Sequence, residues 1–232
     1  PEQILQTFPQ AIQTMIDPAD CGPACISLSQ DVQGETFDYP EEFFNEKIHT
    51  IRRPRPDDYQ IKQAADLIKK SKNPIIISGG GIFYSDAMKE LSQFAKKHNI
   101  PTAQTVMGYS TMKKDDPYFL GAIGGFGGKA PNDFMKKTDL AIAIGTKLAD
   151  FTTGSWTNFE NPNFKLVSIN VSRFDANKHM AQSIVGDAKV CIQDLTVALG
   201  SWKASDEWYK KSRSAVKSCL LYTSDAADDQ AC

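Results

Sequence analysis

The chain has 232 residues, of which 41% are hydrophobic, enough to form a buried core. Its 26 basic and 28 acidic side chains give a net charge of -2, which excludes a global electrostatic attraction to nucleic acid or anionic lipid. Its apolar runs fall well short of the roughly 20 residues that a membrane helix needs. We therefore expect a small-molecule partner, no nucleic acid and no membrane, and the five scattered cysteines favour the reducing cytoplasm.

The first 58 residues differ in character from the rest. Residues 1–35 predict a helix and then a short apolar strand at 24–28, with nothing before them to pack against. We expect this segment to be the C-terminal end of a truncated domain. Residues 36–58 are rich in proline, charge and aromatic side chains, and Pro54 and Pro56 disfavour a helix, so we expect a linker.

Helical and strand patterns alternate from residue 59 to residue 200. The expected elements are a helix from residue 59, a strand at 74–78, a helix over 88–98 with Ser85 as its N-cap, a strand within 99–105, a helix near 131–137, strands at 140–144 and 166–169, an edge strand near 184–185 and a closing helix through 191–198. Parallel strands need crossovers, and crossovers are usually helical. The pattern predicts an α/β domain with a parallel sheet and helices on both faces.

The last segment, residues 201–232, predicts a linker followed by a tail. Its end, "SCLLYTSDAADDQAC", has no clear periodicity, and we expect it to be non-native and exclude it from fold reasoning.

Three glycine-bearing loops follow strands, where ligands bind in open α/β sheets. They are "SGGGIFYS", "LGAIGGFGGKAPN" and "GTKLADFTTGSW", although the second does not follow a clear buried strand. None matches G-x-G-x-x-G or G-x-x-x-x-G-K-[ST], and a glycine triplet by itself is more often a tight turn than a phosphate site.

Catalytic side-chain patterns are scarce. His49, His98 and His179 have no metal-ligand spacing, and each is read as a surface or capping residue. Cys21 and Cys25 form neither a C-x-x-C pair nor half of a visible zinc site, and Ser155 has no G-x-S-x-G context. From these residues alone we expect a binding or scaffold domain, with no catalytic residue and no metal site in the chain.

Four segments carry a family resemblance when they are taken together. They are "IISGGG", "LGAIGGFGGKAPND", "TDLAIAIGTKLADFTTGSW" and "VSINVSRFDANKH", within a region of about residues 8–199. This ordered set resembles the central domain of thiamine-diphosphate-dependent enzymes of the acetolactate synthase superfamily. The wording "DFTTGSW", with "QDVQGETFDYPEEFF" upstream, is similar to the branch that hydrolyses a cyclic 1,2-dione in myo-inositol catabolism.

The resemblance implies a longer, homo-oligomeric enzyme with three α/β domains. The first supplies a glutamate that activates thiamine diphosphate, the second is a six-stranded Rossmann-like domain, and the third binds the diphosphate through Mg²⁺ with a G-D-G motif. Because G-D-G is absent here, we expect the catalytic residues, the thiamine diphosphate contacts and the metal ligands to lie outside this chain, and the isolated chain to be inactive.

The resemblance also defines candidate ligand residues. Flavin-binding relatives have an arginine where this chain has Lys147 and an acidic pair where it has "INVS" at 169–172, so we expect neither flavin nor NAD. The loop is instead expected to line the substrate side of the site, facing a polyhydroxylated cyclic dione, or to pack against a neighbouring domain. The candidate residues are Gly79, Gly80, Gly81, Lys147, Asp150, Thr152, Thr153 and Ser155.

Two alternatives to this hydrolase stay open. One is a fragment of an acetolactate synthase-like carboligase, and the other is a non-catalytic nucleotide-binding module on the same fold, because one fold hosts many functions.

Overall fold

A computed structural model describes the backbone of residues 1–225 and the side chains of residues 1–218. Residues 226–232, which belong to the expected tail, lie outside the described residues. The chain divides into two compact units, Pro1–Arg53 and a second unit that begins at Pro54. Within the described residues, no helix is both long and apolar enough to cross a bilayer.

The first unit contains one helix and two short 3-10 turns. Helix α1 (Ile4–Ile16) confirms the predicted helix, and the turns cover Val32–Gly34 and Glu41–Phe44. The strand predicted at 24–28 is wrong, because these residues have no regular structure. A strand needs a hydrogen-bonded neighbour for its backbone groups, and the described part of this unit contains none.

The second unit is built on one six-stranded parallel sheet, as predicted. Its strands are β1 (Pro74–Ser78), β2 (Thr102–Gln104), β3 (Phe119–Ala122), β4 (Leu140–Ile144), β5 (Lys165–Asn170) and β6 (Gln182–Val185). They lie in the order β3-β2-β1-β4-β5-β6, and every neighbouring pair is parallel. This is the order of a Rossmann sheet, with strand order reversing between β1 and β4.

Helices cover both faces of the sheet. They are α2 (Asp58–Lys70), α3 (Gly81–Tyr84), α4 (Met88–His98), α5 (Lys129–Met135), α6 (Asp150–Thr153), α7 (Arg173–Ala176), α8 (Ala188–Leu199) and α9 (Asp206–Asp225). The side chains of β1 alternate between two cores. Ile76 packs with residues of α2, α4 and α8, whereas Ile75 and Ile77 pack with residues of α5 and α9.

Strand β3 was not predicted. Of its four residues, only Leu120 is buried, and Gly121 has a φ of 119°. The pairing of β3 with β2 also shifts register between Thr102 and Ala103. An edge strand of this kind lacks the continuous apolar run by which β1 and β4 are recognised.

The role predicted for Ser85 is wrong. Helix α4 begins after Ala87 without a side-chain cap. The Ser85 hydroxyl instead donates to Asp187 Oδ2 at 2.8 Å and accepts from the Ala188 backbone N–H at 3.2 Å. Asp187 is itself the N-cap of α8, so Ser85 connects the β1–α4 loop to the start of α8.

The surface or capping role predicted for His98 is also wrong. Its side chain is fully buried at the end of α4, where the ring packs against Phe94 and Trp202. His98 Nδ1 lies 2.8 Å from the Trp202 carbonyl oxygen, and Ala204 N–H donates to the His98 carbonyl. Residues after Gly200 therefore fold back over the end of α4, which the local sequence does not indicate.

Part of the segment 201–218 packs against the core of the second unit. Helix α9 begins at Asp206, and Trp208 is only 4% exposed. The Trp208 indole N–H donates to the Pro74 carbonyl at 2.8 Å, and its ring centroid lies 4.2 Å from that of Phe134. Helix α9 thus completes the core on the second face of the sheet.

Candidate ligand site at the carboxyl edge of the sheet

The candidate ligand loops follow β1 and β4, the two strands at which the strand order reverses. In open α/β sheets the crevice at this point is the usual place for a ligand. The structure therefore brings the glycine triplet after β1 and the loop from Gly145 to Ser155 to the same edge of the sheet, although they are distant in sequence.

The glycine triplet contacts backbone of the neighbouring loops. Gly79 N–H donates to the Ile144 carbonyl, and Gly81 N–H donates to the Gly145 carbonyl, both at 2.9 Å. A Cβ at Gly81 would lie 2.6 Å from Gly145 Cα, and one at Gly80 would lie 3.1 Å from the Met107 carbonyl oxygen. These glycines allow loops to meet in the crevice. Ligand contact by Gly79, Gly80 and Gly81 stays a prediction.

The "DFTTGSW" segment is one helical turn followed by a left-handed run. Helix α6 ends at Thr153 with Gly154 as its C-cap, and Gly154, Ser155 and Trp156 have φ values of 57°, 51° and 73°. Left-handed backbone costs a non-glycine residue about 1–2 kcal/mol. The Trp156 ring packs against Phe159 with centroids 4.6 Å apart and stacks on His179 at 4.1 Å, and these contacts hold the run in place.

The polar side chains of this loop divide into two groups. Thr153 is 2% exposed, and its hydroxyl accepts from Trp156 N–H at 3.2 Å, so it serves the loop itself. By contrast, the side chains of Lys147, Asp150, Thr152 and Ser155 form no hydrogen bond to any described residue. These four are available to a ligand.

The loop after β3 crosses over to the loop after β4. Gly125 N–H donates to the Phe151 carbonyl at 2.8 Å, and Gly124 approaches the Phe151 carbonyl so closely that a Cβ would overlap its oxygen. Gly124 has a φ of 92° and exchanges hydrogen bonds with the Asn132 side chain at 2.9 and 3.1 Å. The loop after β3 is therefore held on one side by the Phe151 carbonyl and on the other by the Asn132 side chain.

The crossing stacks two exposed phenylalanine rings. The centroids of Phe126 and Phe151 are 5.7 Å apart with an interplanar angle of 9°, and the residues are 75% and 70% exposed. Sequence reasoning missed this pair. The only signal was an apolar residue within the glycine cluster "GGFGG", which did not indicate its partner.

The described residues contain no recognisable reactive centre. No group of three His, Cys, Asp or Glu side chains among them could hold a metal ion. Cys191 is buried, and burial raises the pKa of its thiol, which suppresses the nucleophilic thiolate. Cys21 and Cys25 are exposed free thiols, and His98 is buried against Trp202.

The sheet order and the crevice define a Rossmann-like domain, and its sequence matches one family. Residues 61–195 match the family described as "Thiamine pyrophosphate enzyme, central domain". The chain belongs to this family and contains its central domain.

Individual relatives give a more specific likeness than the family does. The chain is 45% identical to a 3D-(3,5/4)-trihydroxycyclohexane-1,2-dione hydrolase of Clostridium perfringens (strain 13 / Type A), over 86% of this chain and 31% of the relative. It is 46% identical to the protein of that name from Clostridium botulinum, over 84% and 30%. It is 42% identical to the protein of that name from Bacillus thuringiensis (strain Al Hakam), over 85% and 31%.

The chain spans about a third of the length of the curated relatives that it matches. Among the described residues, no group of three metal-ligating side chains marks a place for the charged end of the family's cofactor.

Proposed function

We propose that this chain is the central part of a thiamine-diphosphate-dependent hydrolase that opens a C–C bond of a trihydroxycyclohexane-1,2-dione. The observation that carries the proposal is the 45% identity to a relative with that printed name. The longer enzyme would be cytoplasmic and homo-oligomeric and would use Mg²⁺. The isolated chain is expected to be inactive, because its described residues provide no candidate catalytic residue.

The domain boundaries belong to this proposal. Residues 1–35 would be the end of the pyrimidine-binding domain, 36–58 a linker, 59–200 the central domain and 201–232 a connecting segment with a non-native end. The structural division after Arg53 supports a boundary within the expected linker. The packing of Trp208 supports extending the central domain into α9.

The role proposed for the candidate loop is to form a wall of the substrate site. Lys147, Asp150, Thr152 and Ser155 support it, because none of these side chains is used within the described residues. In the longer enzyme, Asp150→Ala should reduce kcat/KM for the dione by about tenfold or more, since a hydrogen bond to a charged group contributes about 1.5–3 kcal/mol. Asp133→Ala is the matched control, because Asp133 is an ion-paired carboxylate on α5. Equal effects of the two substitutions would remove Asp150 from the site.

We also propose that the domain binds neither flavin nor NAD. At the end of β5, where the resemblance places the acidic pair of flavin-binding relatives, Asn170 donates from Nδ2 to the Thr146 carbonyl, and the Ser172 hydroxyl accepts from Asp175 N–H. Both side chains therefore form hydrogen bonds within the loops. Calorimetric titration with FAD, NAD and ADP tests this, and micromolar binding of any of them would favour a nucleotide-binding module.

The activity is tested with the complete reading frame that contains this chain. The purified product should open the cyclic dione in the presence of thiamine diphosphate and Mg²⁺, and the 232-residue chain should show no turnover under the same conditions. Faster conversion of pyruvate to acetolactate than of the dione would favour the carboligase. Turnover by the chain alone would contradict the assignment of its catalytic residues to other domains.

A further inference from the structure

We propose that Phe126 and Phe151 form an aromatic platform that binds the C–H face of a six-membered polyol ring. The choice of a ring ligand rests on the proposed function, and the platform adds to it two residues that set substrate specificity. Neither phenylalanine was among the candidate site residues.

The platform is rigidly built. The two rings come from different loops, and each loop is held by backbone contacts: Gly125 N–H donates to the Phe151 carbonyl at 2.8 Å. A Cβ at Gly124 would lie 2.9 Å from Thr152 Cα and would overlap the Phe151 carbonyl oxygen, so the loops are in direct contact. Asn132 fixes Gly124 from the other side through two hydrogen bonds. The backbone that carries the two rings is therefore positioned before any ligand arrives, which reduces the entropic cost of binding.

The outer surface of the pair lacks a partner among the described residues. Phe126 and Phe151 are 75% and 70% exposed, although each already contacts the other. Large apolar surfaces left open on a fixed support are typical of binding sites. Phe174 on α7, which is 78% exposed, is a contrasting exposed ring. It has no aromatic partner among the described residues, and the Lys178 ammonium lies over its ring.

The polar residues next to Phe151 in the chain favour a small polyol over a protein segment. Asp150 and Thr152 flank Phe151 in the chain, and both side chains have no hydrogen-bond partner among the described residues. An apolar protein surface laid on the pair would desolvate the Asp150 carboxylate without pairing it, which is costly. A ring polyol offers both kinds of contact, since its C–H face suits the negative face of an aromatic ring and its hydroxyls can donate to a carboxylate.

The test measures binding of a defined probe to the 232-residue chain and needs no enzyme activity. Scyllo-inositol, whose hydroxyls are all equatorial, presents C–H bonds on both ring faces, and acyclic mannitol is the comparison ligand. Saturation-transfer difference NMR should show transfer to the scyllo-inositol ring protons with a Kd on the order of 10 mM or tighter, and weaker transfer to mannitol.

Matched variants decide the role of the pair. Phe126→Ala and Phe151→Ala should each weaken scyllo-inositol binding by about three- to tenfold, whereas Phe174→Ala should leave it unchanged. Circular dichroism checks that each variant is folded, as expected for exposed positions. Absence of transfer to scyllo-inositol, or equal loss in Phe174→Ala, overturns the platform. A dimer in sedimentation that dissociates on Phe126→Ala also overturns it, because the pair would then be a protein contact.

The outcome is separable from the proposed function. Dione hydrolysis by the longer enzyme, without Phe-dependent ring binding by the chain, would refute the platform alone. Phe-dependent ring binding, together with preference of the longer enzyme for pyruvate, would refute the hydrolase and leave the platform standing.

Discussion

Replacement of Trp208 measures how much α9 contributes to the stability of the second unit. Trp208 is 4% exposed, its indole N–H donates to the Pro74 carbonyl, and its ring packs on Phe134. Trp208→Ala removes the ring from a packed core, which costs about 3–5 kcal/mol of unfolding free energy. Trp208→Phe keeps an aromatic ring against Phe134 but loses the N–H donor, so we expect a smaller loss of about 1–2 kcal/mol.

Urea unfolding followed by circular dichroism gives both values. Lys210→Ala is the control, because Lys210 is exposed on the same helix and alanine is the better helix former. The control should change the unfolding free energy by less than about 0.5 kcal/mol. If the unfolding free energy of Trp208→Ala lies within about 1 kcal/mol of that of the control, α9 does not complete the core, and the domain ends near Gly200.

Three further predictions concern buried or strained positions. Burial lowers the pKa of His98 below its ordinary value of 6.5, so the unfolded state takes up a proton first as the pH falls. The unfolding free energy should therefore decrease below about pH 6.5, by at most about 1.4 kcal/mol per pH unit. This decrease should be smaller in His98→Gln. Gly145→Ala should cost about 3 kcal/mol or more, because Gly145 has a φ of 62° and a Cβ there would lie 2.6 Å from Gly81 Cα. Ser85→Ala should cost about 1–3 kcal/mol, because it removes the buried donor to Asp187.

Each of these predictions has its own control. An equal pH dependence in wild type and His98→Gln would mean that other groups cause it. Gly154→Ala isolates the left-handed backbone, since Gly154 has a φ of 57° and its nearest neighbour to an added Cβ is the Thr157 hydroxyl at 3.1 Å. Gly154→Ala should lower the unfolding free energy by about 1–2 kcal/mol. An equal loss in Gly145→Ala would argue against a close contact between Gly145 and Gly81. Ser201→Ala, at an exposed serine, is the comparison for Ser85.

The fold was predictable where local pattern and burial agree. The run "PIIIS" became β1 and "LAIAI" became β4, because central parallel strands are buried on both faces and need continuous apolar sequence. Strand β3 was missed because it lies at the sheet edge with one buried residue. The environment of His98 was missed because it depends on residues after Gly200 folding back, a contact between distant parts of the chain.

The candidate site was predictable only in part. Its location followed from glycine-bearing loops at strand ends, and the structure brings the loops after β1 and β4 together. The different uses of Thr153 and Thr152 could not be read from "DFTTGSW", since they depend on which side of the α6 turn is buried. The Phe126–Phe151 stack could not be predicted either, because no local pattern reports that the β3 loop reaches the β4 loop.

The crossing of the β3 loop also restricts how this domain can move. Strands β3, β2 and β1 form one half of the sheet, and β4, β5 and β6 form the other. At the carboxyl edge, bonds outside the strand ladder also join the halves, among them Gly79 N–H to the Ile144 carbonyl, Gly81 N–H to the Gly145 carbonyl and Gly125 N–H to the Phe151 carbonyl. Hinge opening at the reversal point would have to break these bonds as well as the β1–β4 ladder. We therefore expect a ligand to approach this edge at the tips of its loops.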